Sequence, residues 1–347
     1  MSRIGRYITQ TTTGERFKAY VPQPLPPANP TLDITELSVA LEKASLALGQ
    51  LDNKIESIPN QALFIYMYIR KEALLSSQIE GTQSTLQDLL TFEAKNDNYG
   101  KIDDVEEVVN YVKAMNFALN RLDKLPLSLR LIKETHAVLL QGNRGAQCSP
   151  GEFRKSQNWI GGTRPSNALF VPPPALEMLE CMNDLELFLN QENPNLPLLI
   201  RAGLSHLQFE TIHPFLDGNG RLGRLLITLM LCSEGMLSQP ALYLSLYFKQ
   251  NRADYYRLLN EVRETGNWEA WLAFFLKGVH ETATIAVTAI NNMNSLFEED
   301  LKKIGSKKIQ LNGFSKSAEH PHCQYQLFKR TGTNHTENRQ ALSRRVS

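Results

Sequence analysis

Between Leu32 and Leu301 the apolar residues of this chain recur at three- and four-residue spacing, and one long stretch, residues 142–175, interrupts them. That period lines side chains along one side of a helix. It predicts helices at 34–50, 61–80, 83–91, 103–123, 128–140, 175–191, 196–211, 219–234, 251–264, 267–290 and 292–303. Leu63, Met67, Leu74 and Leu75 mark one face of the second, and Val105, Val108, Val109 and Val112 one face of the fourth. The fold class is therefore mostly α. The interruption is rich in Gly and Pro but holds two short apolar runs, Asn158–Ile160 and Ala168–Val171. These predict a small β-hairpin turning at Gly161–Asn167. A long non-helical insertion in a helical domain tends to be functional.

The two ends differ from the body. Residues 1–31 are rich in Thr and Pro and read as an extended arm wrapping the body, or as a loose end. From Lys302 to Ser347 ten Lys/Arg stand against two acids, Glu319 and Glu337, which predicts a basic, solvated, disordered tail. Over the whole chain 37 Lys+Arg nearly balance 36 Asp+Glu, so no global field points to nucleic acid or a membrane. His320, His322 and Cys323 make half a metal site with no second half, so zinc is not expected. Cys148, Cys181, Cys232 and Cys323 are irregularly spaced without a CxxC pair, which suits a reducing compartment. The N-terminus lacks an apolar signal core, and the run Leu225–Cys232 is too short to span a bilayer. A soluble, cytoplasmic protein is expected. No internal repeat is found.

The densest chemistry lies at residues 213–224, HPFLDGNGRLGR. Asp217-Gly218-Asn219-Gly220 is a turn signal, and Leu222, Leu225, Leu226 and Leu229 then share a helical face. The turn therefore opens a helix. Helix starts carry unpaired N–H groups and partial positive charge, and glycines let a phosphate approach them. Arg221 and Arg224, three apart in the first turn, would extend that anion site as two phosphate forks. Asp217 is a hard oxygen ligand of the kind that holds Mg²⁺ beside phosphates. A neutral His213 could take a proton from an incoming hydroxyl. Together these describe transfer of part of a nucleotide to a hydroxyl. His136, His206 and His280 are expected to serve packing.

The stretch resembles the signature HPFx[D/E]GN[G/K]RxxR of the Fic family (filamentation induced by cAMP), at every defined position. PGEFRKSQNWIGG, NALFVPPP, YYRLLNEVR and GNWEAWLAFFLKGV are also similar to the longer bacterial members. The resemblance implies a Fic-fold helical bundle with a small β-hairpin flap, preceded by an N-terminal helical region. Its divisions are 32–126 for the N-terminal region, 127–278 for the catalytic domain, 279–301 for a C-terminal helix and 302–347 for the tail. It implies AMP transfer from ATP, with Mg²⁺, to a Ser, Thr or Tyr hydroxyl of a protein target or of the chain itself. His213 would be the base and Asp217 the metal ligand. Gly218, Asn219 and Gly220 would cradle the α- and β-phosphates, with Asn219 steadying charge on the α-phosphate. Arg221 would bind the β-phosphate and Arg224 the γ-phosphate, with Leu222 and Gly223 alongside the nucleotide. Gly220 favours AMP transfer, because related phosphate-transferring toxins carry Lys there. Ile160, Gly161, Gly162 and Thr163 of the flap would border the nucleotide, and Tyr255 and Tyr256 would pack against adenine or ribose.

Upstream, Ser76 and Glu80 share a helical face and Gly81 ends that helix as a C-cap. The three residues resemble the family's inhibitory motif [S/T]xxxE[G/N]. Glu80 would then pair with Arg224 in the γ-phosphate's place. A homodimer is an option within the family, and neither membrane nor nucleic acid is an expected partner. The resemblance ends near Leu301, where many long members continue into a winged helix. Two other readings stay open: transfer of another nucleotidyl or phosphoryl group, and a non-enzymatic regulator that binds DNA or protein through the tail.

Overall fold

The computed structural model describes residues 3–12, 14–94, 103–142, 146–191 and 195–306. Eleven α-helices dominate these residues. They are α1 (Ile34–Glu56), α2 (Gln61–Ile79), α3 (Leu86–Ala94), α4 (Asp103–Leu122), α5 (Leu129–Leu139), α6 (Ala175–Leu189), α7 (Leu198–Ile212), α8 (Asn219–Ser233), α9 (Ser245–Gln250), α10 (Arg252–Thr265) and α11 (Trp268–Ser306). Side chains start several of them: Asp33 accepts from the Glu36 N–H, Asn60 from Leu63 and Ser128 from Leu131. Such caps satisfy N–H groups that have no partner within the helix.

The mostly α class is as expected. Four local expectations are corrected. Residues 1–31 are not simply an extended arm: β1 (Arg6–Thr12) and β2 (Glu15–Val21) pair antiparallel across a turn at Gly14, with Tyr7 opposite Tyr20. In β2, Phe17, Ala19 and Val21 alternate inward with Arg16 and Lys18 outward, a strand pattern. Conversely, the hairpin expected at 158–171 reduces to one antiparallel bridge, Ile160 with Phe170, around a short 3-10 turn at Pro165–Asn167. The helices expected at 267–290 and 292–303 are one helix, α11, which runs through Asn291 and Asn292 and on to Ser306. Asparagine costs a helix interior only a fraction of a kcal/mol, too little to break a helix this long. α9 lies where no helix is expected, being too short to show a period.

Two compact units divide the chain, residues 1–290 and residues 291–347. Within the first, α7 is the central helix, with every residue from Leu199 to Ile212 buried. It packs on α8, α6, α1 and α10. α4 packs on α5, α2 and α8, and α2 also packs on α9. The arm reaches residues 168–171, where Phe17, Ala19 and Val171 form a small buried cluster and Tyr20 N–H donates to Val171 O at 2.9 Å. Of the second unit, residues 291–306 are the end of α11. The tail expected to be disordered from 302 is corrected at its start, where α11 continues through Ser306; the rest of it, with the expectation of no zinc at His320, His322 and Cys323, lies outside the described residues.

Candidate active site

The site forms where α7 ends and α8 begins. α7 closes on His213, whose backbone is left-handed at φ 51°, ψ 60°, with its N–H donating to Phe209 O at 2.9 Å. A non-glycine residue pays about 1 kcal/mol or more for that conformation, and such strain clusters at functional sites. The imidazole is partly buried. Its Nδ1 lies 3.4 Å from Glu210 O, and a carbonyl can only accept, so Nδ1 carries the proton and Nε2 keeps its lone pair. Burial lowers the His213 pKa to about 4, so the ring is neutral at physiological pH.

The loop from His213 to α8 is tied from within. Asn219 Oδ1 accepts from Phe215 N–H and its Nδ2 donates to Phe215 O, both at 2.9 Å. The Asn219 side chain thus shapes the loop. With the side chain so engaged, the backbone N–H of Asn219 is the group left to face an anion. Gly218 caps α8 at φ 77°, and the first bond within the helix runs from Leu222 N–H to Gly218 O at 2.9 Å. The N–H groups of Asn219, Gly220 and Arg221 precede it and open the helix. His136 of α5 supports the loop from below. Its Nδ1 accepts from Gly151 N–H at 2.9 Å, its Nε2–H donates to Asp217 O at 3.0 Å, and its ring stacks on Phe215 at 3.7 Å. Burial lowers its pKa to about 4, which keeps this donor–acceptor arrangement. His136 therefore fixes the Asp217 backbone as well as packing.

The two arginines diverge. Arg221 reaches Glu107 of α4 and Asp217, each at 3.2 Å. Arg224, with 2% of its side chain exposed, turns to α2: Nε donates to Ser76 Oγ at 2.8 Å, Nη2 to Ser76 O at 3.0 Å and to Glu80 Oε1 at 2.6 Å. Burial works most strongly against the Arg224 charge, but Glu80, Tyr255 and Glu210 together outweigh it and raise the pKa. Glu80 itself caps α2, and Gly81, expected as the cap, follows it at φ 108°. A Cβ on Gly220 would overlap Glu80 Oε1 and lie 3.0 Å from Arg224 Nη1. The Glu80 carboxylate thus sits over the first turn of α8, where a helix start favours an anion. Asp217 is half exposed at the mouth of the site.

Other expected neighbours of the nucleotide lie beneath the site. Tyr255 is 1% exposed and its hydroxyl meets His206 Nε2 at 2.9 Å, while His206 Nδ1–H donates to Gly223 O at 2.9 Å. Leu222 is 2% exposed, and a Cβ on Gly223 would lie 2.6 Å from Glu210 Oε1. Tyr255 and Leu222 are therefore buried beneath the helix start, and Gly223 sits against Glu210. Tyr256 is 40% exposed. Gly161, Gly162 and Thr163 form an exposed turn with both glycines at positive φ, and Asn167 Oδ1 accepts from Thr163 N–H at 3.0 Å. Ile160 pairs with Phe170 at the base of that turn.

Sequence reasoning missed two buried carboxyls. Glu210, one turn before His213, is 7% exposed, and burial raises its pKa to about 7. Glu72, two turns before Glu80, bonds the Ser245 hydroxyl, the Ser245 N–H at 3.2 Å and the Tyr111 hydroxyl at 3.5 Å. Burial raises its pKa to about 7 as well. It fastens the helix bearing Ser76 and Glu80 to α9 and α4. Nothing in the sequence marks either acid, because each falls within an ordinary helical stretch. Among the described residues no group of three His, Cys, Asp or Glu could enclose a metal ion, and no helix is long and apolar enough to cross a membrane.

Comparison with known proteins follows the same geometry. A profile of the Fic/DOC family N-terminal region matches residues 38–120, and one of the Fic/DOC family matches residues 126–231. The protein adenylyltransferase Fic of Drosophila grimshawi is 29% identical over 269 residues, 76% of this chain and 51% of that protein. The chain spans about half the length of the curated relatives it matches. In fold it is similar to a Fic family protein from Desulfovibrio desulfuricans, with TM-score 0.61, 23% identity and 77% of each chain covered. It is also similar to Fic-1 (residues 134–508) of C. elegans, with TM-score 0.53, 21% identity, 77% of this chain and 76% of that one covered. The N-terminal profile takes in Glu80 and the second runs from before His136 to beyond Arg224, so the two meet in the one site described: the chain belongs to the Fic/DOC family.

Proposed function

We propose that this chain is a protein adenylyltransferase, moving AMP from ATP to a Ser, Thr or Tyr hydroxyl of a protein, its own hydroxyls included. The observation that carries the proposal is the neutral His213, with Nε2 unprotonated, beside the open start of α8. The hydroxyl oxygen bonds to the α-phosphorus, the bond from that phosphorus to the bridging oxygen breaks, and pyrophosphate leaves. The hydroxyl proton passes to His213 Nε2. The N–H groups opening α8 and the Arg224 guanidinium meet the triphosphate. Gly220 agrees with AMP transfer, since the family's phosphate-transferring toxins carry Lys there, and its lack of a Cβ leaves room for Glu80 over the first turn of α8.

Mg²⁺ fits the residues present. One half-exposed carboxylate, Asp217, without an enclosing protein cage, suits an ion that takes most of its ligands from phosphates and water. Asp217 would hold it, and it would neutralise charge on the α- and β-phosphates.

Glu80 acts in this reading as a built-in brake. Its carboxylate holds Arg224 and covers the anion site, so ATP binds with its phosphates displaced until α2 yields. The acceptor protein supplies the hydroxyl, and a cytoplasmic setting agrees with the free thiols of Cys148, Cys181 and Cys232. The test compares incorporation of α-labelled ATP by Glu80→Gly and by Glu80→Gly/His213→Ala. Label is expected in the first and absent in the second, with both folded by circular dichroism. Undiminished label in the double variant would remove His213 as the base, and γ-label in place of α-label would replace AMP transfer by phosphate transfer.

A further inference from the structure

Arg154 has no assigned part in the reaction, yet it is 2% exposed and lies directly behind His213. Its hydrogen bonds among the described residues all go to backbone carbonyls. Nε donates to His213 O at 2.9 Å, and Nη2 to Pro173 O at 2.5 Å and Ile212 O at 3.4 Å. Nη1 donates to Ser156 O at 3.1 Å, and the Arg154 N–H to Pro214 O at 2.9 Å. A buried cation held by carbonyls alone is costly unless a field favours it. Here the carbonyl end of α7 supplies that field. Asn158 assists, with Nδ2 donating to His213 O at 3.3 Å and to Phe215 O at 3.1 Å. Pro173 follows the trailing strand of the flap, and Gln157 Nε2 holds the neighbouring Pro172 O at 2.9 Å.

The direction of the His213 ring is set by its left-handed backbone, and the peptide plane that defines that backbone ends in the carbonyl Arg154 grips. We infer that Arg154, assisted by Asn158, is a positioning residue: it locks the His213 peptide and the trailing end of the flap into one frame, so that Nε2 is held in the orientation that takes the acceptor's proton. The inference rests on the reading of His213 as the base. The Arg154 side chain serves four carbonyls at once; an ammonium keeps the charge but has three donors and no planar fork.

The experiment uses the full chain carrying Glu80→Gly, with Arg154→Lys, Asn158→Ala and His213→Ala added singly. Displacing a base by about 1 Å costs about 100-fold in rate. Arg154→Lys is therefore expected to lower kcat by at least about tenfold, and Asn158→Ala by about threefold or more. KM for ATP should stay within about twofold of the parent in Arg154→Lys, because the Arg154 side chain bonds His213, Ile212, Ser156 and Pro173 and none of residues 217–224. The His213 ring, followed by its ¹⁵N signals, should show one Nδ1–H tautomer in the parent and a mixture in Arg154→Lys. A kcat within twofold of the parent, or a loss confined to KM, overturns the inference. If Arg154→Lys does not fold, Asn158→Ala decides alone: an unchanged kcat and unchanged ring signals reject the clamp. Activity surviving in His213→Ala would sink the base assignment instead, and so separates the two failures.

Discussion

Replacing Glu80 with glycine takes a carboxylate away from a guanidinium that has 2% of its side chain exposed. Arg224 is left with the Ser76 hydroxyl and carbonyl. Breaking a fully buried pair costs about 3–5 kcal/mol, while exposed pairs contribute about 0–1 kcal/mol. Glu80 has 37% of its side chain in solvent, so its end of the pair is screened and a value near 2 kcal/mol is reasonable. If that free energy separates a closed, unproductive site from an open one, about 3% of the parent is productive at any moment. Glu80→Gly should then raise the initial rate of AMP incorporation about 30-fold at saturating ATP. Glu80→Gln keeps a neutral hydrogen bond and should fall between the two. Without nucleotide, Glu80→Gly should melt at a lower temperature than the parent, because a buried charge has lost its partner. ATP with magnesium should recover more of that temperature in the variant than it adds to the parent. Initial rates with α-labelled ATP and thermal melts supply both readings. Unchanged rate and melting temperature would mean the contact carries no energy. A lower rate would mean that Glu80 belongs to the productive pose, and the brake would have to be abandoned.

Gly220→Ala should displace Glu80 and lower the melting temperature of the parent, with little further change once Glu80 is glycine; equal shifts in both backgrounds would contradict the overlap. The acid limb of kcat/KM should fall near pH 4, where burial places His213, with no inflection near 6.5; loss of activity through pH 6.5 would show an imidazole in ordinary solvent. Glu210 has its pKa raised from 4.5 to about 7, so the stability its neutral form contributes is complete below pH 4.5 and lost as pH rises through about 7, by about 3 kcal/mol in all. Glu210→Gln avoids that loss, and its melting temperature relative to the parent should be higher at pH 8 than at pH 5. The same difference at both pH values would show that Glu210 is not held protonated.

The helix start was legible because its chemistry is contiguous. Turn glycines, carboxylate, imidazole and arginines follow one another from His213 to Arg224, and the leucines after them betray the helix. Glu80 was legible too, as a short motif at the end of a periodic stretch. The left-handed turn at His213 was not, since nothing local forces it; it is held by Arg154 and Asn158, which stand in a loop without periodicity. Tyr255 and Tyr256 looked equivalent in sequence, and the packing of α10 on α7 separates them, burying the first and leaving the second 40% exposed. The strands at the N-terminus follow an alternating pattern, but the prolines after Val21 and the threonines of β1 hid it. Their partner, Val171, is far away in sequence.

That distant partnership has a geometric consequence. Phe170 shares its backbone bonds with Ile160, and Val171, facing the other way, is taken by Tyr20. The trailing strand of the flap is therefore flanked on both sides. If an acceptor segment lies along the flap as a strand, the margin left for it is the outer one, at Trp159 and Gly161. In a chain without the arm, the Val171 margin would open as well, and guests could arrive along two opposed directions. The second strand of this protein thus occupies one margin of the flap before any recognition of side chains begins.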